Sequence, residues 1–159
     1  MDYTAKRRAK KQEEARLEEV RSDKKRREAL KTAKDYVKEA QMAFNRYIRE
    51  RDKGKTCICC DRPLGTAAVG GDYDAGHYRS TGSAPHLRFN EHNCHGQLKF
   101  CNRYRAGNAV DYRIGLIKRI GIQAVETLES NQTIQKWTVE ELIGIRDYYK
   151  AKLKKLLDK

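Results

Sequence analysis

All five cysteines of this 159-residue chain lie between residues 57 and 101, and no other feature of the sequence constrains its fold as strongly. The N-terminal residues lack the apolar core of a signal peptide. In a chain without an export signal, clustered thiols indicate metal ligation rather than disulfides. We therefore predict a cytoplasmic protein with a small metal-stabilised module.

The composition changes on either side of this module. Residues 1–53 contain neither Gly nor Pro and predict a long charged helix that ends at Gly54. Residues 54–108 contain both prolines and all four histidines, with little helical periodicity. Residues 109–159 return to helical spacing, which predicts C-terminal helices that pack on the module.

The N-terminal helix acquires an apolar stripe only in its second half. Leu30, Val37 and Phe44 are seven residues apart, as expected for a helix that docks on a core or on a second chain. Residues 1–28 interleave acidic and basic side chains and predict a solvated helix. A coiled-coil contact in a homodimer and a DNA-contacting arm are alternative uses of this segment.

Two caps predict where the C-terminal helices begin. Asn108 and Asp111 resemble an N-cap, followed at helical spacing by Val110, Ile114 and Ile117. Thr138 and Glu141 form a capping box, with Trp137 expected to pack at the helix entry. The predicted apolar face of this last helix comprises Leu142, Ile145, Tyr149, Leu153 and Leu156.

The charge of the chain points to a polyanionic partner. The sequence has 35 Lys and Arg against 22 Asp and Glu, a formal net charge of +13. Such an excess suits nucleic acid or an anionic membrane surface. Because no run approaches the roughly twenty apolar residues of a membrane span, we predict nucleic acid as the partner and no membrane association.

The cysteine spacing predicts a zinc site. Cys57 and Cys60 form a C-x-x-C pair, which lets both sulfurs reach one tetrahedral ion. A redox pair would need a strand-to-helix context that the following residues DRPLG do not offer. Cys101 is the natural third ligand. The candidates for the fourth are Cys94, His95 and Cys59.

Between the cysteines, the sequence predicts a hairpin, a loop and a short helix. The hairpin runs through TAAVGGDYDAGHYRS, residues 66–80, with its turn near Gly70 and Gly71. The helix begins near Asn93. A strand, loop and helix beside a cysteine knuckle resemble the ββα-metal, or HNH, nucleases, so the expected fold is α+β, a mainly helical chain around an HNH-like module.

The HNH pattern places a His at the strand end, a central Asn, and two Cys followed by His or Asn. His77, Asn93 and Asn102 match it, and Cys101 lies eight residues after Asn93 as that pattern requires. Leu98 occupies the position where the pattern has the other Cys. The zinc site is therefore expected to be weakened at this position.

The wider sequence resembles the NinG (Rap) recombination proteins of lambdoid phages. The likeness spans about residues 55–120 and is densest in DAGHYRS and in LRFNEHNCHGQLKFCNRYRAGNAVDYR. The resemblance implies a structure-specific endonuclease that uses a divalent metal to cleave branched double-stranded DNA, such as Holliday junctions, in the cytoplasm of the host cell.

Phosphodiester cleavage gives these residues chemical roles. His77 is the candidate general base, because its ordinary pKa is near neutrality. Asn102 and Asp74 can supply the oxygen ligands that Mg²⁺ or Mn²⁺ prefers. The resemblance implies that Asn93 holds the His77 ring by a hydrogen bond.

One position departs from the HNH pattern. HNH enzymes usually have a metal ligand directly before the base, where this chain has Gly76. In a regular strand Asp74 lies on the face opposite His77. Either a kink at Gly76 brings Asp74 round, or Asp72 or His95 takes its place.

Basic side chains surround the motif and predict contacts with the DNA backbone. These are Arg79, Arg88, Arg103 and Arg105.

Two other functional classes fit the same sequence. One is a non-catalytic, zinc-stabilised DNA-binding or annealing accessory protein of recombination, which would bind DNA in a salt-dependent way without cleaving it. The other is an interaction protein built around the N-terminal helix.

Overall fold

A computed structural model describes residues 3–66 and 71–158, and in these ranges the chain forms six α-helices and one two-stranded sheet. This mainly helical α+β architecture agrees with the predicted fold class. The elements are α1 (Tyr3–Ala29), α2 (Ala33–Asp52), β1 (Tyr73–His77), β2 (Cys94–Leu98), α3 (Lys99–Arg103), α4 (Ala109–Ile120), α5 (Ile122–Ser130) and α6 (Val139–Leu157).

The prediction of one continuous N-terminal helix is wrong, because the chain leaves helical geometry at residues 30–32. Thr32 restarts the helix: its backbone N–H and its hydroxyl both donate to the Asp35 carboxylate, at 2.9 and 2.7 Å. Such local side-chain bonding is typical of a helix start. Leu30 is 80% exposed, so the apolar stripe begins only at Val37.

The chain divides into two compact units, residues 1–35 and residues 36–159. Within the first unit, α1 has a strongly polar sequence and several exposed ion pairs three or four residues apart, among them Lys10–Glu14 and Arg21–Glu18. Each such pair contributes only a few tenths of a kcal/mol. Within the described ranges, no helix has the length and apolarity needed to cross a membrane.

The sheet pairs β1 with β2 in antiparallel register, from Tyr73 opposite Leu98 to His77 opposite Cys94. As predicted, His77 ends a strand. The helix predicted from Asn93 is wrong, because residues 94–98 form a strand and the helix begins only afterwards. Backbone pairing with the distant β1 outweighs local preference here. The predicted hairpin includes residues 67–70, which lie outside the described residues.

The elements β1, β2 and α3 therefore follow one another in the order strand, strand, helix, and the core closes around them. One cluster joins α2 and α6 to the sheet, a second joins α4 and α5 to the loop between the strands, and a third surrounds the cysteines. The first cluster contains Phe44, Ile48, Phe89, Cys94, Leu142 and Tyr149. The second contains Ile58, Leu87, Tyr112, Leu116 and Leu128. The third contains Cys57, Leu64, Tyr73 and Cys101.

The prediction for α6 is confirmed. Thr138 and Glu141 make both hydrogen bonds of the capping box. Trp137 stacks edge-on against Phe89 at the helix entry, with 5.4 Å between ring centroids. The predicted apolar face is buried or packed against the first cluster at all five positions, Leu142, Ile145, Tyr149, Leu153 and Leu156.

The predicted apolar face of α4 is wrong at two of its three positions, since only Ile117 packs against the second core cluster. Val110 and Ile114 are exposed, and the helix instead buries Tyr112 and Leu116. Asn108 does not cap α4 in the usual way, since its backbone is left-handed and its carboxamide bonds the Asp111 carboxylate at 2.8 Å.

The packing of α4 depends on Gly115. A Cβ at Gly115 would lie 1.7 Å from the carbonyl oxygen of Ile58. Ile58 lies between Cys57 and Cys60, in the segment that we call the cysteine knuckle. A contact this short with backbone cannot be relieved by a side-chain rotation, so the helix can approach the knuckle only through a glycine.

We predict that Gly115→Ala lowers the free energy of unfolding by about 2 kcal/mol or more, because α4 must move away from the knuckle. The measurement is equilibrium denaturation in urea. The matched control is Gly144→Ala in α6, where a Cβ would meet no described atom within 4 Å. This change should stabilise the protein by up to about 1 kcal/mol through helix propensity. Equal effects of the two substitutions would contradict the proposed close approach.

A buried ion pair connects α2 to β2. The Asp52 carboxylate is fully buried and accepts from the Arg51 guanidinium at 2.8 and 2.9 Å, from Lys55 at 2.9 Å and from the backbone N–H of Gly96 at 2.8 Å. Arg51 also donates to the carbonyl of Cys94 at 2.9 Å. Burial alone would raise the pKa of Asp52, but the bonds from Arg51 outweigh it and hold the pKa well below 3.8.

We predict that Asp52→Asn costs about 3 kcal/mol of stability at pH 7, because Arg51 would keep a largely buried charge without its partner. Since the folded pKa of Asp52 lies below its unfolded value, this contribution is present above about pH 4 and is lost as the pH falls further. Urea titrations of both proteins between pH 3 and 7 measure the difference. The control is Asp61→Asn, at an exposed ion pair with Lys118, which should change stability by less than about 0.5 kcal/mol. A difference between wild type and Asp52→Asn that stays constant across this range would contradict the assignment.

Candidate active site and metal centre

Three of the predicted zinc ligands lie together. The sulfurs of Cys57, Cys60 and Cys101 are all within 4.8 Å of one another, and those of Cys60 and Cys101 are 3.6 Å apart. A tetrahedral Zn²⁺ with bonds of about 2.3 Å holds its sulfurs roughly 3.8 Å apart. The geometry and chemistry of this group, which we call the cysteine trio, therefore suit a metal ion such as zinc.

Neighbouring donors favour the thiolate form of Cys57, whereas burial and the Cys60 side chain raise the pKa of Cys101 to about 12. The backbone N–H of Leu98 donates to the Cys57 sulfur at 3.3 Å, and the Arg62 Nε donates to the Cys60 sulfur at 3.5 Å. Bonding from the Cys59 thiol outweighs burial and, with the Leu98 amide, lowers the pKa of Cys57 to about 4. Metal ligation requires this deprotonated form.

The three candidates for a fourth ligand differ in position. Cys94 lies outside the trio, fully buried in the first core cluster opposite His77. His95 also lies outside it, beside Arg51, where burial and that cation lower its pKa to about 3. Cys59 alone contacts the trio, since its thiol bonds Cys57.

The position of Leu98 explains why the trio has no fourth thiolate there. Leu98 packs against the cysteine cluster at the end of β2, and only its backbone contacts a ligand, through the N–H that bonds Cys57. The apolar side chain cannot bind the ion. A substitution at this position therefore tests whether a ligand is missing.

We predict that Leu98→Cys tightens Zn²⁺ binding at least about 10-fold and that Cys101→Ser weakens it about 100-fold, because one adds and the other removes a strong ligand. Competition against a chromogenic chelator measures both affinities. Cys94→Ala, outside the trio, should bind one equivalent with unchanged affinity. A loss of zinc in Cys94→Ala as large as that in Cys101→Ser would place the ion elsewhere.

A cleft of about 320 Å³ lies at the end of β1, and both His77 and Asn102 line it. Beside the cleft, the Asn102 carboxamide lies 3.2 Å from the Asp74 carboxylate, which is on the sheet face opposite His77 and does not itself line the cleft. Arg103 holds that carboxylate with two hydrogen bonds, of 2.9 and 3.1 Å. The ββα order thus brings the two predicted oxygen ligands together, but only Asn102 shares the cleft with the predicted base His77.

The His77 imidazole points toward the core. Its Nε2 lies 2.9 Å from the carbonyl oxygen of Arg88, which can only accept, so Nε2 carries the proton. Its Nδ1 faces the Cys94 sulfur at 3.7 Å, and the ring lies 5.9 Å from that of Phe44. Burial lowers the pKa of His77 below 6.5, which keeps the ring neutral at pH 7.

The role predicted for Asn93 is wrong in its detail. Its carboxamide does not bond the His77 ring. It accepts from the backbone N–H of Arg79 at 2.9 Å and donates to the carbonyls of Arg79 and Leu87 at 3.0 and 3.2 Å. Because Asn93 is fully buried at the start of β2, these bonds close the loop between the strands and so position His77 through the backbone.

The register of the sheet is unbroken, so Gly76 introduces no kink and Asp74 lies on the face opposite His77. A Cβ at Gly76 would lie 2.1 Å from the Gln97 Oε1. The usual HNH ligand position therefore cannot carry a side chain unless Gln97 moves.

Sequence reasoning assigned no role to Gln97. Its Nε2 donates to the Cys59 sulfur and to the Gly107 carbonyl. Its Oε1 is the one buried side-chain oxygen in the described ranges without a hydrogen-bond partner. In the sequence, the signal for a role of Gln97 is its position in the segment NCHGQL. In the structure, Gln97 lies opposite Asp74 and on the same face of the sheet.

The oxygen donors near the cleft fit a hard divalent ion that keeps several waters, as Mg²⁺ does. They are few: within the described ranges, the cysteine trio is the only group of three or more His, Cys, Asp or Glu side chains placed to share an ion. Asp74 and Asn102 are the two oxygen donors that could hold such an ion. The alternative ligand His95 is engaged elsewhere, with Arg51 and with the carbonyl of His92.

The four predicted DNA-contacting arginines divide into two pairs. Arg79 donates to the carbonyls of Leu128, Glu129 and Asn131, and Arg88 donates to Gln41 and to the Thr81 carbonyl. Both are therefore committed to the fold. Arg103 and Arg105 are exposed beside the cleft, with Arg105 over the Phe100 ring.

Comparison with known proteins identifies one matching family and several relatives. The family model described as "Bacteriophage Lambda NinG protein" matches residues 1–159. The chain is 48% identical to protein ninG of Escherichia phage lambda over 128 residues, which are 80% of this chain and 60% of the relative. It is 48% identical to protein ninG of Salmonella phage P22 over 130 residues, 82% of this chain and 62% of the relative.

The chain spans about 60% of the length of these relatives. No solved structure matches it significantly.

Proposed function

The chain belongs to the NinG family of bacteriophage proteins, and from this premise we propose that it is a metal-dependent endonuclease that cleaves branched DNA during phage recombination. The observation that carries the proposal is the cleft at the end of β1. Asn102 and His77 line this cleft, and the Asn102 carboxamide lies 3.2 Å from the Asp74 carboxylate beside it.

The proposed reaction is hydrolysis of a phosphodiester by water. His77, neutral at pH 7 because burial lowers its pKa, would accept the proton of the attacking water. Asp74 and Asn102 would hold Mg²⁺ or Mn²⁺, which when bound neutralises charge on the phosphate and on the leaving oxygen. Asn93 would position His77 by closing the loop.

Three adjustments accompany catalysis in this proposal. The Asn102 carboxamide must rotate so that its oxygen rather than its nitrogen faces the ion. Arg103 must leave Asp74 for a phosphate oxygen, which its exposed guanidinium can reach as a bidentate donor. The His77 ring must also turn, so that its basic Nδ1 faces the cleft instead of Cys94.

The formal net charge of +13 supports DNA as the substrate, in the cytoplasm of the host cell. Arg105, exposed near the cleft, is proposed to contact the backbone. The resemblance to recombination proteins favours branched DNA over plain duplex DNA as the substrate. A homodimer would bring two such clefts to one junction.

A specific observation favours a second candidate, a non-catalytic DNA-binding or annealing accessory protein with the same frame. Both nitrogens of the His77 ring face protein groups, and Asp74 is neutralised by Arg103. In this alternative, the cysteine trio and the Asn93 bonds would serve only to hold the module together.

We predict that the protein cleaves labelled flap, three-way or four-way DNA with Mg²⁺ or Mn²⁺, and that His77→Ala and Asp74→Asn each reduce the rate about 100-fold or more. Asp61→Asn is the matched control, because it removes the same charge at an exposed ion pair outside the cleft and should leave the rate unchanged. Gel electrophoresis of the products, with DNA binding measured in parallel, separates catalysis from affinity.

The outcomes distinguish the two candidates. Salt-dependent binding without cleavage at any metal tested would support the accessory protein. Equal cleavage by wild type and His77→Ala would end the assignment of His77 as the base.

A further inference from the structure

We propose that a second site, formed by two adjoining clefts beside α6, binds one unpaired nucleotide of a branched DNA, with the base among aromatic rings and the phosphate beside cationic side chains. The inference rests on the proposed function only in taking DNA as the partner. In the described part of the chain, neither cleft shares a lining residue with the cleft of His77 and Asn102.

The aromatic cleft has a volume of about 560 Å³, and four rings line it, those of Phe89, Trp137, Tyr148 and Tyr149. Phe89 and Trp137 meet at 5.4 Å between centroids, and Tyr148 and Tyr149 at 5.1 Å, both pairs edge to face. Phe89 and Tyr149 are buried and pack against the other two rings, so the exposed Tyr148 and the partly exposed Trp137 are the rings on which a base can stack, whatever its identity.

The rings are held in place before any ligand arrives. The Trp137 indole donates to the Pro85 carbonyl at 3.3 Å, and the Tyr149 hydroxyl donates to the Phe89 carbonyl at 2.9 Å. Gly144 leaves open space on the side of the cleft that α6 forms, since a Cβ there would meet no described atom within 4 Å. A preformed cleft of this kind loses little entropy on binding.

The basic cleft adjoins the aromatic one, because Asn90 and Tyr149 line both. Its volume is about 580 Å³, and its cationic side chains are Arg51, Lys55 and Arg119. The Arg119 Nη1 is buried, has no hydrogen-bond acceptor among the described residues and lies 3.9 Å from the Asp52 carboxylate. The Arg119 side chain is 23% exposed, so a phosphate in the cleft can approach its guanidinium and supply the acceptor that it lacks.

Two carboxylates also line the basic cleft, and both are already engaged. Asp52 accepts from Arg51, Lys55 and the Gly96 amide. Glu91 pairs with Lys152 and accepts from the Tyr47 hydroxyl. The cations therefore outnumber the carboxylates around the cleft, which favours an anionic ligand.

The combination of clefts selects the class of ligand. A purely apolar ligand would use the aromatic cleft alone, and a free phosphate would use the basic cleft alone. A nucleotide carries both a flat ring and an adjoining phosphate. In duplex DNA the bases are already stacked, so the site is suited to an unpaired nucleotide, such as one at a branch or in a flap.

The single tryptophan of the chain lies in the aromatic cleft and serves as a reporter. Titration of the full-length chain with single-stranded oligothymidine, without added Mg²⁺ or Mn²⁺, should quench Trp137 fluorescence with saturation. Tyr148→Ala, at a ring that is 57% exposed, should raise the dissociation constant about 10-fold without unfolding the protein. Leu157→Ala, equally exposed on the same helix at 56%, is the control and should leave it unchanged.

The basic cleft is tested by a pair of lysines. Lys55 lines the cleft and pairs with Asp52, whereas Lys53 pairs with Glu50 and does not line it. Lys55→Gln should lower the slope of log affinity against log salt by about one, because one phosphate contact is lost. Lys53→Gln should leave that slope unchanged.

The results separate this inference from the nuclease proposal. Unchanged oligothymidine affinity in Tyr148→Ala, or no quenching of Trp137 by oligothymidine, would overturn the nucleotide site even if the protein cleaves branched DNA. Selective loss of affinity in Tyr148→Ala and of salt slope in Lys55→Gln would support the site even if no cleavage is found.

Discussion

The buried carboxylate of Asp52 is the interaction on which the rest of the second unit depends. It joins the end of α2 to the middle of β2 through the Gly96 amide, and Arg51 extends the connection to the Cys94 carbonyl. A charge without solvent is stable only with such partners. Because β2 is fixed in this way, β1 can pair with it, and the following helix α3 begins at a defined place.

The candidate active site is a consequence of that frame. The order β1, β2, α3 places Asp74 beside Asn102 and carries Cys101 to the C-x-x-C pair. Gly115 completes the frame by letting α4 touch the knuckle. The cysteine trio and the cleft therefore share α3, and a metal ion at the trio would hold the helix that carries Asn102.

The two candidate sites lie in different parts of the second unit and would engage different parts of one substrate. The cleft near Asn102 offers oxygen ligands to a divalent ion, and the clefts beside α6 offer aromatic rings and cations. A branched DNA presents both a duplex phosphate and unpaired bases. This division would let a single small protein combine backbone chemistry with a preference for DNA structure.

The sequence by itself determined the local features: the capping box of α6, the apolar face of that helix, and the cysteine trio. These depend on spacing within short segments or on one strong chemical preference. The pairing of β1 with β2, the buried residues of α4 and the orientation of the His77 ring were decided by the tertiary structure. Each depends on contacts between residues far apart in the chain, where packing outweighs local preference.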